Sequence, residues 1–135
     1  ETYVQEMSGH DLLNILEQVA DNLFDPDPYL QSGGDMVRVG GLDYTITPSK
    51  KLYERITDAR LDNGHLIEAD QKYKVAGWAQ VNRTPEGRLM WDVVRDYIVK
   101  NKGKDNVLRL PKINHPKLVG VMKDPGIADY PGEAS

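Results

Sequence analysis

The sequence predicts an α+β fold, a single compact domain of short mixed or antiparallel strands with two main helices. Apolar residues recur at helical spacing over about residues 9–23 and again over about residues 90–101. Short β-prone runs lie between these segments, without the regular alternation of strand and helix that a parallel doubly wound sheet requires. The 135 residues, 39% of them hydrophobic, suffice for one core.

The first helix has a recognisable beginning and end. Ser8 precedes it and is expected to cap the free N–H groups of its first turn, where Asp11 places negative charge at the positive end of the helix dipole. Pro26 and Pro28 prevent its continuation. The residues between these signals therefore predict an amphipathic helix that buries one face.

The second helix carries an apolar face, and lysines follow it at the negative end of its dipole. The face consists of Met90, Trp91, Val94, Tyr97 and Ile98, and the lysines are Lys100, Lys102 and Lys104. The helical spacing of Trp91 with its neighbours predicts that its ring packs in the core.

Two β-prone runs at 36–39 and 42–47 predict paired or successive strands. Gly40-Gly41 separates them and permits a bulge or a tight turn. The chain opens at Glu1-Thr2-Tyr3-Val4 with a pattern typical of the middle of a strand.

A β-hairpin is predicted where apolar and polar residues alternate over 54–61. Residues 62–65 supply its turn, and Leu66-Ile67 resumes the extended chain. A further strand is predicted over 72–81, and the residues 82–87 have the composition of a loop.

Two divisions of the chain follow from composition. We expect residues 1–110 to form the domain and residues 111–135 to form a Pro- and Gly-rich tail. Apolar residues of the tail are available to hold it against a neighbouring element, namely Ile113, Leu118, Val119, Val121 and Met122. The abrupt beginning of the sequence predicts a fragment or mature product of a longer protein.

Charge and cysteine usage exclude several classes of function. The formal net charge of −4 argues against a nucleic-acid-binding protein, since such proteins usually carry a clustered basic excess. No apolar run approaches the roughly 18 to 20 residues of a membrane-spanning helix. The absence of cysteine excludes disulfides, a cysteine nucleophile and thiolate metal sites, and it leaves the cellular compartment open.

The sequence is poor in catalytic motifs. His10, His65 and His115 are the only histidines, and they lack the spacing of a shared metal site. No Gly-x-Ser-x-Gly nucleophile motif and no phosphate-binding loop with a lysine are present. Catalysis by this chain alone is therefore not expected.

Arg38 is the best candidate for a binding residue. It lies between the glycine pairs Gly33-Gly34 and Gly40-Gly41, which permit close approach of the backbone, and a guanidinium can hold an oxyanion with two parallel hydrogen bonds. The alternative is an outward-facing arginine on an alternating strand, and the pattern alone does not decide between them.

The sequence resembles a known family in several segments. Residues 7–17 (MSGHDLLNILE) and 37–42 (VRVGGL) resemble the C-terminal domain of the 5′-nucleotidase family. Residues 20–24 (ADNLF), 27–29 (DPY), 33–41 (GGDMVRVGG) and 73–79 (YKVAGWA) are similar to the thiosulfohydrolases of the bacterial sulfur-oxidation system, the SoxB type. Together the similarity spans roughly residues 3 to 101.

The resemblance implies a periplasmic enzyme of two domains. An N-terminal metallophosphatase-like domain, absent from this chain, would carry a dinuclear manganese centre, and this domain would bind the substrate and no cofactor of its own. The family reaction would be metal-assisted hydrolysis that releases sulfate from a thiosulfonate on a cysteine of the SoxYZ carrier protein. The implied partners are this carrier and the protein's own metallophosphatase domain.

The resemblance also implies roles for the residues of the glycine-rich segment. Arg38 would hold the sulfonate oxygens, and the glycine pairs Gly33-Gly34 and Gly40-Gly41 would leave room for the tail of the carrier protein. Asp35 would either orient Arg38 or cap the turn, and Tyr29 would either line the cleft or cover apolar residues under its loop.

Two alternatives remain open. A 5′-nucleotidase would hold a base between two aromatic rings, but Val39 or a near neighbour stands at the first of these places and no Gly-Gly-Asp-Gly run marks the second. Trp91 is the available second ring. The other alternative is a free-standing, non-catalytic binding module with the same fold.

Overall fold

The computed structural model describes residues 1–78, 87–110 and 112–121 and confirms the α+β fold. Seven elements follow one another along these residues. They are β1 (Thr2–Ser8), α1 (Gly9–Phe24), β2 (Leu42–Ile46), β3 (Ile56–Leu61), β4 (Lys72–Trp78), α2 (Met90–Asn101) and β5 (Lys117–Leu118).

The described strands form two separate sheets. β1 and β4 pair antiparallel, from Thr2 opposite Trp78 to Ser8 opposite Lys72. The second sheet has the order β3-β2-β5, with β3 antiparallel and β5 parallel to β2. The mixed and antiparallel pairing that the sequence predicts is therefore present.

Helix α1 begins as predicted. The hydroxyl of Ser8 accepts a hydrogen bond from the amide of Asp11 at 3.1 Å and donates one to the Asp11 carboxylate at 2.6 Å. These bonds lower the pKa of Asp11, because they favour its ionised form at the positive end of the helix dipole. The helix buries Leu16 and Ala20 against Tyr44, Ile46 and Ala59, which form the centre of the core.

A buried polar network fixes the loop between β2 and β3 onto α1. Arg55, 1% exposed, donates to the Asp21 carboxylate at 2.5 Å and to the Phe24 carbonyl at 3.2 Å. Glu17, 4% exposed, accepts from the backbone amides of Tyr53 at 3.0 Å and Ile56 at 2.7 Å. Both charges are buried with hydrogen-bond partners, as the cost of removing ions from water requires.

The prediction of a strand at 36–39 is wrong. These residues pair with no described strand, whereas β2 forms at 42–46 as predicted. The physical reason is their spacing: Met36 and Val39 both pack against the core, and residues three apart lie on opposite faces of a strand. The segment instead runs over the core as an irregular loop.

The hairpin turn after β3 is present, although its second arm is short. The amide of Leu61 donates to the His65 carbonyl at 2.9 Å, Gly64 takes the left-handed conformation at φ +87°, and Arg60 pairs with Leu66 as an isolated bridge. The predicted strand at 72–81 is observed as β4 up to Trp78, and residues 79–81 and most of the loop at 82–87 lie outside the described residues.

Helix α2 has the predicted bounds but not the predicted packing. It buries none of its residues, and Trp91 is 62% exposed, so the prediction that this ring packs in the core is wrong. Bonds from Thr2 to the Arg88 carbonyl hold the start of the helix beside β1. The helical pattern identified an apolar face, and no described element covers it.

The C-terminal segment joins the second sheet through its backbone. Thr45 pairs with Lys117 and Ile46 with Leu118, and the amide of Val119 donates to the Ile46 carbonyl at 3.0 Å. The side chain of Leu118 stays 60% exposed, so hydrogen bonds rather than the predicted apolar contacts hold this segment. Met122 lies outside the described residues, and the boundary between residues 110 and 111 stays a prediction.

Within the described ranges, neither helix combines the length and the apolar character that crossing a membrane demands.

Candidate functional site

The candidate site is a cleft of about 360 Å³ between the β1–β4 sheet, the apolar face of α1 and the loop at 37–42. Its walls are mostly apolar. They are formed by Tyr3, Met7, Leu12, Ile15, Leu16, Leu42, Leu61, residues 37–41 and residues 73–78. A cavity of this size with few polar groups is typical of a ligand site.

Arg38 lies at this cleft and is exposed. Among the arginines in the described residues it alone lacks a carboxylate partner, since Arg55, Arg60, Arg88, Arg95 and Arg109 are each paired with an aspartate. The sequence carries more acidic than basic residues, 21 against 17, so available carboxylates are not scarce. Arg38 therefore lies beside an apolar cleft with N–H donors that no group in the described ranges accepts from.

The loop that carries Arg38 is held on both sides of it. Met36 and Val39 pack against the core and fix the backbone around the arginine. The Val39 side chain is thereby used in packing, and it leaves the guanidinium as the polar group of this segment at the cleft.

The glycine pairs have different places. Gly33 and Gly34 adopt φ values of +80° and +103°, and a Cβ added at either would meet no atom within 4 Å. Both therefore serve the backbone conformation, and neither lines the cleft. Gly40 and Gly41 do line the cleft, with Gly41 at φ +81°.

Asp35 and Tyr29 lie away from the cleft. Asp35 is exposed and makes no hydrogen bond within the described part of the chain, either to Arg38 or to the turn. The Tyr29 side chain is 97% exposed, and its backbone amide donates to the Asp27 carboxylate at 3.0 Å. The structure thus brings Arg38 to the cleft without these two residues, whose predicted roles toward a substrate stay predictions.

The sequence analysis missed the aromatic wall of the cleft. Tyr3 lies opposite Gly77 across the β1–β4 pair, and a Cβ on Gly77 would come within 2.6 Å of the Tyr3 ring carbon Cζ. Gly77 therefore makes room for the ring. Tyr73 lies on the same strand face and accepts a hydrogen bond from the Glu68 amide at 2.9 Å. The alternation of residues 73, 75 and 77 was the signal for this wall.

Lys74 also borders the cleft but belongs to the other strand face. Successive side chains of a strand point to opposite faces, so Lys74 lies with Trp78 on the face that is away from α1. Trp78 is 63% exposed there. Arg38 is consequently the better placed cation for a ligand in the cleft.

A second missed feature is a polar cluster beside Gly41, which we call the amide clamp and define as Asp43, Asp62, Lys112 and Asn114. Lys112 donates to Asp43 and Asp62 at 2.6 Å each, and Asn114 donates to the same carboxylates at 2.9 and 2.8 Å. The bond from Lys112 lowers the pKa of both aspartates, and the hydrogen bonds to these carboxylates raise the pKa of Lys112. Its members are up to 71 residues apart, so no local pattern announces it.

The described residues contain no group of three or more histidine, cysteine, aspartate or glutamate side chains with the geometry of a metal site. His10 lies on α1, and His65 lies in the hairpin turn. At the cleft, the Arg38 guanidinium is a group that can bind an anionic ligand, and the aromatic rings add apolar surface.

Comparison with known proteins agrees with the resemblance of the sequence segments. Residues 1–84 match the family described as the 5′-nucleotidase C-terminal domain. The structure of the sulfate thiohydrolase SoxB from Thermus thermophilus, in complex with glycerol, superposes with a TM-score of 0.72 and 26% identity, over 90% of this chain and 23% of that one. No curated protein sequence matches the chain.

A second solved structure shows the same fold at lower identity. It is a putative 5′-nucleotidase from Staphylococcus aureus in complex with α-ketoglutarate, with a TM-score of 0.60 and 18% identity, over 87% of this chain and 27% of that one. The chain thus spans about a quarter of the length of these two proteins. Because the family match covers more than half of its residues, the chain belongs to the 5′-nucleotidase C-terminal domain family.

Proposed function

We propose that this domain recognises the substrate of a periplasmic, two-domain thiosulfohydrolase of the SoxB type. The proposal rests on the position of Arg38 at the edge of an apolar cleft, where no carboxylate of residues 1–78, 87–110 and 112–121 pairs with it. The similarity to SoxB over 90% of the chain supports the choice of a sulfur oxyanion as the ligand. The substrate would be a thiosulfonate on a cysteine of the SoxYZ carrier protein.

The guanidinium suits this ligand chemically. A terminal sulfonate presents three oxygens in tetrahedral geometry, and the parallel N–H groups of Arg38 can donate to two of them. The walls of the cleft are mostly apolar, and a cation attracts an anion more strongly beside apolar surface than in bulk water. Arg38 would thus bind the group that leaves as sulfate and stabilise negative charge that develops on it.

The remainder of the reaction belongs to the other domain in this proposal. A dinuclear manganese centre on the metallophosphatase domain would supply activated water when bound. This domain would hold the sulfonate still and keep bulk water from the cleft. The periplasmic location is part of the same proposal.

The nucleotidase alternative lacks an aromatic pair at the two places where the resemblance implies one, although Tyr3 and Tyr73 line the cleft. Val39 packs against the core instead of offering a ring, and Trp91, although exposed, does not line the cleft. A stacked base contributes about 1 to 3 kcal/mol of binding energy, so the loss of one ring weakens selection of a nucleotide.

The test is an NMR titration of the 135-residue chain with a peptide that carries an S-thiosulfonate cysteine. We expect chemical-shift changes of the Arg38 side-chain N–H and of the amides at 36–41. Arg38→Ala should bind the peptide at least about tenfold more weakly than wild type. Lys74→Ala is the matched control, because it removes a cation that borders the same cleft from the other strand face. Equal affinities of wild type and Arg38→Ala would refute the role of Arg38.

AMP is the second ligand of the experiment. Shifts near Trp91 with AMP, and none with the sulfur peptide, would replace the proposal with a nucleotidase. Silence with both ligands would favour a non-catalytic module or a site that needs the metallophosphatase domain. Activity of the enzyme that carries both domains, with and without Arg38→Ala, then separates these two outcomes.

A further inference from the structure

The loop that carries Arg38 has few hydrogen bonds along its length. At one end the amide of Gly33 donates to the Asn22 carbonyl at 3.1 Å, and at the other the amide of Gly41 donates to Asn114 Oδ1 at 2.9 Å. Residues 34–40 make no hydrogen bond to the described parts of the chain. The carbonyl of Gly41 also accepts a hydrogen bond from the Asp62 amide at 3.3 Å. The conformation near Arg38 therefore depends on the two bonds at Gly41, of which that to Asn114 is the shorter, and on the packing of Met36 and Val39.

Asn114 is suited to this bond by its own surroundings. Its Nδ2 donates to both Asp43 and Asp62, so the amide orientation is fixed and Oδ1 must face the Gly41 amide. One side chain thus joins the end of the loop, the first residues of β2 and the hairpin turn. Lys112 offsets the repulsion between the two carboxylates that this arrangement brings together.

We propose that Asn114 is a positioning residue for Arg38, so that the C-terminal segment, 76 positions along the chain, completes the candidate site. It acts through Gly41, three residues from the arginine, and touches no ligand itself. Because an arginine grips an oxyanion through a directional pair of hydrogen bonds, a shift of its backbone removes binding energy even though the guanidinium is still present. This inference rests on the proposed function only for the identity of the ligand.

The first test needs no ligand. In Asn114→Leu we expect the Gly41 amide to lose its protection from hydrogen exchange, and the amides of residues 38–41 to become more mobile in 15N relaxation. The amides of Tyr53 and Ile56, which bond to Glu17 on the far side of α1, report whether the fold is intact. Unchanged exchange at Gly41 together with unchanged relaxation would overturn the proposal, whatever the ligand proves to be.

A charge swap guards against a variant that merely unfolds. Asn114→Asp keeps an acceptor for Gly41 but brings three carboxylates together, which repel one another. Asn114→Asp combined with Asp62→Asn restores one amide and two carboxylates around Lys112. We expect the single variant to loosen the loop and the double variant to recover it. Asn101→Leu on α2 is the matched control, because its side-chain amide donates to the Tyr97 carbonyl and makes no other bond to the residues that the structure describes. A double variant as mobile as the single one would contradict the positioning role.

The ligand measurement then separates the two proposals. We expect Asn114→Leu to bind the S-thiosulfonate peptide at least about fivefold more weakly than wild type. The double variant, Asn114→Asp with Asp62→Asn, should bind it with wild-type affinity. If wild type fails to bind the peptide, this domain by itself does not recognise the sulfonate, while the loop measurements still decide the role of Asn114. If wild type binds and Asn114→Leu binds equally well, the positioning role is wrong and the proposed function stands.

Discussion

Replacement of Glu17 by glutamine is expected to destabilise the domain by the cost of one unsatisfied backbone donor. The Glu17 carboxylate is 4% exposed and accepts from two amides, those of Tyr53 and Ile56, at 3.0 and 2.7 Å. A glutamine side chain has a single acceptor oxygen, so one of these N–H groups loses its partner. A buried donor left in this state costs about 1–3 kcal/mol.

Replacement of Glu17 by leucine tests the same hydrogen bonds with a larger expected effect. Glu17→Leu leaves both amides without an acceptor, and we expect roughly twice the loss of the glutamine variant. The network also holds Tyr53 at φ +68°, a conformation that costs a non-glycine residue energy and persists only where its surroundings enforce it. Loss of the carboxylate therefore frees the loop between β2 and β3 to relax.

Urea unfolding at pH 7, followed by far-UV circular dichroism, measures these differences in the free energy of unfolding. Glu54→Gln is the control, because Glu54 is exposed and its side chain makes no hydrogen bond to the described residues. A Glu17→Gln variant within about 0.5 kcal/mol of wild type would refute the reasoning. So would a leucine variant that loses no more stability than the glutamine variant.

Three further predictions concern the loop, the core and the amide clamp. Gly33→Ala should lower the free energy of unfolding by about 1 kcal/mol, because φ is +80° there. Gly40→Ala should leave that free energy unchanged, because Gly40 has open space around it and no positive φ. Urea unfolding of the two variants measures the difference. Tyr44→Phe should raise the melting temperature in calorimetry, since the buried hydroxyl has no partner among the described residues. Lys112 lowers the pKa of two aspartates, so its contribution to stability is present above about pH 4 and is lost as the pH falls through their lowered pKa values. In urea unfolding, Lys112→Met should therefore be less stable than wild type at pH 7, and the difference should disappear at a pH below these pKa values.

The helices could be predicted because their determinants are local. Ser8, the spacing of the apolar residues and the prolines at 26 and 28 all act within a few residues of α1, and the structure has the helix where they place it. The extent of α2 follows from the same reasoning, but its packing does not. A hydrophobic stripe identifies the face of a helix that is suited to burial, and only the tertiary structure decides whether an element covers that face.

The errors at the site have a common physical origin. The prediction of a strand at 36–39 was wrong because two β-prone residues, three apart, both pack against the core there. Local β-propensity does not predict such tertiary contacts. The amide clamp and the Glu17 network join residues that are far apart in sequence. The sequence did contain one signal for the Glu17 network. Glu17 lies on the apolar stripe of α1 between Leu16 and Ala20, and an acidic residue that is buried at such a place requires hydrogen-bond partners.

Exposure alone does not make Arg38 a binding residue, since charged side chains are mostly exposed in folded proteins. Three independent features distinguish it from the other described cations. Within the described part of the chain no carboxylate pairs with its guanidinium although acidic residues are in excess, its neighbours Met36 and Val39 are held by the core, and it borders an apolar cleft. A surface arginine of purely solubilising function needs none of these, whereas an arginine that grips an oxyanion uses all three: free donors, a fixed backbone and apolar surroundings. The amide clamp strengthens the second feature from a distant part of the chain, so a loss of sulfonate affinity in Asn114→Leu with the core intact would show that the loop geometry, and not only the charge, is required for binding.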